Sequence, residues 1–142
     1  MKRTLLILAL LILPACSQNI TDSSVEETSL TFSQLRKLTE NDKDKAKTLL
    51  IDARTPIEFA AGHIPGAVNI SVAQVSGVEG ATDARLLKFA TLIVYGSNPS
   101  SITAKSLGKR LISTGYKDVR YYPDGFDGWK ASGGRIEATP KP

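Results

Sequence analysis

One cysteine, one histidine and one tryptophan are all that 142 residues contain of these three types, and each shortage excludes something. A lone cysteine cannot close an internal disulfide. No pair of residues stands at metal-ligand spacing and no glycine-rich phosphate fingerprint is present, so neither a metal nor a cofactor is expected. The longest apolar run, Leu5 to Leu13, is nine residues, against the ~20 a helix needs to cross a bilayer. Charge of one sign is also not in large excess. The net charge of +4 includes Lys2 and Arg3 at the extreme N-terminus, and nothing else in the pattern argues for nucleic acid.

What is present at that N-terminus is an export signal: two cations, a short apolar core, then "LPAC" ending at Cys16. Leu13 three residues before the cysteine, with small Ala15 just before it, resembles the lipobox of bacterial lipoproteins. The resemblance implies a diacylglyceryl thioether (with a further acyl group such as palmitate) on Cys16, cleavage before it, and a mature chain held on the extracytoplasmic, periplasmic side of a bacterial membrane. Several acyl chains hold a protein there where one would be marginal. The alternative is ordinary signal-peptidase cleavage after Ala15, which would leave a free thiol. Loss of residues 1–15 removes two cations and no acid, so much of the basicity belongs to the discarded peptide.

The organisation expected is a signal peptide over 1–15, a lipidated flexible tether over 16–29, one folded domain over 30–137 and a short tail over 138–142. The segment "SQNITDSSVEETS" is polar and aperiodic, and its thirteen residues reach at most about 45 Å. Beyond it, "LTF" is a strand candidate and Ser33 a candidate cap for a helix over "QLRKLTEN", while "NDKDKAK" reads as a charged loop. "TLLID", "AVNIS", "TLIVY" and "DVRYY" are strand candidates. The third is apolar on both faces and so belongs centrally in a parallel sheet. Helices are expected around "PIEFAAG" with Pro56 in its first turn, around "DARLLKFA", from Ser101 to Thr114 with Gly115 as stop, and over "FDGWKAS". Strands alternating with helices predict an α/β domain of three layers.

The stretch "LLIDARTPIEFAAGHIPGAVNIS" makes the expectation specific. Asp52, Arg54, Glu58, Phe59, Gly62, His63, Ile64, Pro65, Gly66, Ala67 and Asn69 match, in order, the signature of the rhodanese homology domain, and "GYKDVRYYPDGFDGW" resembles that family's closing strand and Trp helix. In that family a cysteine directly after the central strand takes sulfur from a donor such as thiosulfate and holds it as a persulfide, inside a loop whose backbone N–H groups favour anions. The resemblance places Gly96 at that position. Without a thiolate there is no nucleophile, so persulfide transfer by the family's route is closed to this chain alone.

The neighbouring residues do not replace it. Ser97, Asn98, Ser100 and Ser101 complete the loop with Gly96 as a candidate anion or partner-binding segment, but a serine hydroxyl without an adjacent base is a weak nucleophile and cannot hold a persulfide. Ser100 and Ser101 read as helix caps. Pro99 removes one N–H, and no Arg or Lys lies between Gly96 and Ile102. Asp52 and Arg54 read as an internal ion pair, Glu58 as a motif residue, His63 as hydrogen-bonded within a turn rather than a general base, Trp129 with Phe126 as core, and Lys105 as exposed. The function expected is a non-catalytic module that binds a protein partner, or weakly a small oxyanion, at the membrane. The alternative is a sulfurtransferase whose nucleophile comes from a partner.

Overall fold

A computed structural model describes residues 28–78 and 80–139. The expected signal peptide, Cys16 and most of the expected tether therefore lie outside the described residues. Among the described residues no helix is long and apolar enough to cross a membrane.

Four strands form one fully parallel sheet: β1 (Thr48–Asp52), β2 (Val68–Asn69), β3 (Thr91–Tyr95) and β4 (Val119–Tyr122), in the order β2-β1-β3-β4. The central place expected for "TLIVY" is where β3 lies, between β1 and β4. Leu92, Ile93, Val94 and Tyr95 are all buried, as a strand covered on both faces requires.

Two apolar clusters flank the sheet, which makes the three layers. On one face Leu49, Ile51, Leu92, Val94 and Tyr121 pack on α5 (Ile102–Ser113) through Ala104, Leu107 and Leu111. The short helix α4 (Ala84–Leu87) adds Leu86 on the same side. On the other face Leu50, Ile93, Tyr95 and Tyr122 pack against α1 (Phe32–Glu40) and α6 (Gly125–Ala131), through Leu35 and Trp129. The Trp129 ring lies 5.0 Å from Phe32 and donates its Nε1–H to the Arg135 carbonyl at 2.7 Å.

Three local expectations are corrected. The cap of α1 is Thr31, not Ser33, and Phe32 is helical rather than extended. A capping box needs an acceptor three residues on: from Thr31 that residue is Gln34, from Ser33 it would be Arg36, which can only donate. No strand forms over "LTF"; the isolated bridge to Tyr121 is made by Ser29, one residue earlier. The charged stretch after Asn41 is not a plain loop, because Asn41 Oδ1 accepts from Lys43 and Asp44 N–H and starts α2 (Asp42–Lys45).

After β1 the chain turns into α3 (Pro56–Ala61), whose first turn carries Pro56 and a second capping box, Thr55 with Glu58. At the end of α5, Thr114 closes the helix and Gly115 takes φ 105°, the left-handed stop its type suggests. Since all four strands run the same way, the turns after β1, β3 and β4 meet at one edge of the sheet, where parallel α/β sheets carry their sites.

Candidate functional site

The first wall of the site is built by the turn after β1. Asp52 is fully buried and accepts from Arg54 N–H, Nε and Nη2, the last at 2.6 Å. Arg54 also donates to the Gly62 carbonyl at 2.6 Å and lies 4.1 Å above the Phe126 ring. Burial works against the Arg54 charge, yet the hydrogen bond and field of Asp52 leave it more firmly protonated than an ordinary arginine. Both partners are enclosed, and the pair ties the turn together. Asn69 pins the same turn by donating Nδ2 to the Asp52 and Arg54 carbonyls, a role its place in the motif did not reveal.

His63 sits in the next turn and is 8% exposed. Its Nδ1 is 2.9 Å from the Phe59 carbonyl, its ring stacks on Phe59 at 3.9 Å, and its backbone pairs with Glu137. Glu137 completes this clasp by accepting from Gly66 N–H. Tyr95, at the end of β3, is enclosed between these turns and accepts from Ile64 N–H. Burial first, then the Asp52 charge, push its phenol far above the ordinary range, so it stays neutral.

The loop from Gly96 to Ser101 forms the floor. Its carbonyls are claimed by α6: Phe126 N–H donates to Gly96 O at 2.8 Å and Asp127 N–H to Ser97 O at 2.9 Å. Gly125 permits that approach, for a Cβ there would stand 2.6 Å from the Ser97 carbonyl group, and its φ of 64° suits only glycine. Because peptide groups are planar and trans, the N–H groups of Ser97 and Asn98 then face away from α6.

Fewer donors remain than the loop's length suggests. Pro99 has none. Ser100 N–H donates to Asn98 Oδ1 at 3.0 Å and Ser101 N–H to Asn98 O at 3.0 Å. At the rim, Glu58 Oε1 accepts from Ser97 Oγ at 3.4 Å. The Thr55 hydroxyl and N–H hold the Glu58 carboxyl below the usual carboxylate range, so a negative charge stands beside the loop at neutral pH.

Ser101 departs from its expected role. It occupies the cap position of α5, but its side chain makes no cap hydrogen bond. It turns instead toward Gly96, where a Cβ on residue 96 would overlap both Ser101 Oγ and Ser101 Cβ. Its hydroxyl is 3.1 Å from that of Thr103. Lys105 is half-buried rather than exposed. Asp52, Arg54, Glu58, His63 and the loop are thus brought to one end of the sheet, with Glu58 hydrogen-bonded to the loop through Ser97. A cleft of about 530 Å³ lies elsewhere, between Val75, Leu86, Phe89 and Tyr116, and no loop residue lines it. No group of three His, Cys, Asp or Glu able to hold a metal occurs among the described residues.

Comparison with known proteins gives a consistent set of likenesses. The family model described as Rhodanese-like domain matches residues 31–132. Thiosulfate sulfurtransferase GlpE of Pseudomonas putida is 33% identical over 91 residues, 63% of this chain and 76% of that protein. Mitochondrial thiosulfate sulfurtransferase RDL2 of Saccharomyces cerevisiae is 29% identical over 121 residues, 78% of this chain and 77% of that one. Among solved structures, the rhodanese-like domain of an Anabaena protein superimposes with a TM-score of 0.60 at 21% identity, covering 78% of this chain and 79% of that chain.

Proposed function

The chain belongs to the rhodanese-like domain family, and from that premise we propose that it is a non-catalytic member, carried on a bacterial membrane by lipid on Cys16, whose loop face binds a protein. In this reading Gly96 stands where the family's sulfur-carrying cysteine belongs. The observation that carries it is the end of β3: Gly96 has no side chain, and the space beside it is filled by Ser101. No other thiol exists in the chain outside Cys16.

A protein fits the loop better than a small oxyanion does. Of the loop's six residues Pro99 has no N–H, those of Ser100 and Ser101 are engaged within the loop, and an ionised Glu58 stands at its rim. An anion would meet few remaining N–H donors and a like charge. Exposed apolar side chains flank the loop on both sides, Ile57 in α3 next to Glu58 and Ile102 at the start of α5.

The test is placement of a photo-crosslinking side chain at Ile57 or Ile102 and, as control, at Lys43 in α2, which precedes β1 and lies toward the opposite sheet edge. Adducts to a discrete protein from the first two positions but not the third are expected in intact cells. Adducts from Lys43 alone, or from none of the three, contradict a loop-face partner.

The sulfurtransferase names of the relatives keep one other reading in view, with a nucleophile borrowed from a partner. That reading requires labelled sulfur from thiosulfate to appear on a co-purifying protein and never on this chain.

A further inference from the structure

The space beside Gly96 Cα is taken by a residue five positions later. A Cβ at position 96 would overlap Ser101 Cβ as well as Ser101 Oγ, and would stand 3.1 Å from Ala104 Cβ. The distinction between the two Ser101 atoms matters. An Oγ can be moved by turning χ1, whereas a Cβ is fixed by the backbone, so no rotamer of Ser101 makes room. Room requires a shift of the start of α5, and that helix is anchored by Ala104, Leu107 and Leu111, all fully buried. Ser101 also forgoes the capping bond that its place in the helix would offer.

We propose that Ser101 is the plug of this site: its Cβ and hydroxyl have taken the position of the lost side chain, so that Gly96 is now a steric requirement and restoring a cysteine at 96 does not by itself restore chemistry. This rests on the reading of Gly96 as the former nucleophile position and adds a second block to it. The sulfur chemistry being blocked is balanced without any further oxidant. A thiolate at 96 would attack the outer sulfur of thiosulfate, the S–S bond would break, and sulfite would leave with the electron pair. Cyanide would then take the sulfur as thiocyanate and return the thiolate.

Two variants at 101 separate the atoms: Ser101→Ala removes Oγ and keeps Cβ, while Ser101→Gly removes both and is tolerated at a helix cap. In the full-length chain, Gly96→Cys/Ser101→Gly is expected to make thiocyanate from thiosulfate and cyanide. Gly96→Cys alone and Gly96→Cys/Ser101→Ala should be slower by about a hundredfold, the usual effect of an ångström of misplacement. Similar rates in all three, or no turnover in Gly96→Cys/Ser101→Gly, overturn the proposal.

A second readout needs no catalysis. Thermal unfolding of Gly96→Ala should drop far more in the Ser101 background than in Ser101→Gly, and equal drops also overturn it. Turnover by the unsubstituted protein would instead contradict the non-catalytic reading and leave this steric coupling to be decided by the unfolding data.

Discussion

Arg54 lies between a carboxylate and a ring, with its side chain 6% exposed and that of Asp52 not exposed at all. Removing one partner of such a pair strands the other charge in a poorly solvated place, which costs about 3–5 kcal/mol. Asp52→Ala is therefore expected to destabilise the domain by that amount in urea unfolding, with Arg54 rather than the loop feeling the change. Gly125 is constrained by a different force. Alanine there would hold an unfavourable φ, worth about 1–3 kcal/mol, and would push on the Ser97 carbonyl. Gly125→Ala should lower the melting temperature and also broaden or shift the amide resonances of Ser97 and Asn98, since their carbonyl and α6 anchors are displaced together. The ion pair was legible in the sequence because its members are two residues apart at a strand end. The inward turn of Ser101 was not, because it depends on how closely α5 approaches β3 through space, and a serine just before a helix otherwise reads as a cap.

Between residues and the whole sit the capped helices. The Thr55–Glu58 box starts α3 and at the same time places a carboxylate beside Ser97. The folded-state pKa of Glu58 is lowered by the Thr55 hydroxyl and N–H. Its contribution to stability is thus fully present above the ordinary value of 4.5 and is lost as pH falls through the lowered folded value. Glu58→Gln should flatten that part of the acid-unfolding profile, and Thr55→Ala should both flatten it and cost about 1 kcal/mol at neutral pH. Helix α5 is held by burial instead: Leu107→Ala is expected to cost about 2–5 kcal/mol. The strand expected over "LTF" and the loop expected after Asn41 did not form, but most element types and the central position of β3 followed from apolar runs and turn residues. The bridge from Ser29 to Tyr121 did not, since a pairing across most of the chain leaves no local pattern.

For the whole molecule, the fold is that of a rhodanese-like domain, and several features of the loop after β3 are compatible with the proposed non-catalytic reading. A glycine follows β3, the serine at the cap position of α5 fills the space beside it, two N–H groups are used internally, and an acid stands at the rim. In the proposed reading each of these features disfavours a small anion, and beside them Ile57 and Ile102 are exposed. The proposed anchor is a separate property of the first sixteen residues. Fatty-acid label in the intact protein, and its loss in Cys16→Ser, is the expected outcome; label retained after that substitution contradicts lipidation at Cys16.

Sulfur transfer by the unsubstituted full-length protein decides the matter most directly. With thiosulfate as donor and cyanide as acceptor, thiocyanate should form no faster than in a protein-free control, and the mass of the chain after exposure to thiosulfate should be unchanged. Thiocyanate formed in proportion to protein, together with a mass gain of one sulfur on a peptide spanning Gly96 to Ile102, would contradict the account.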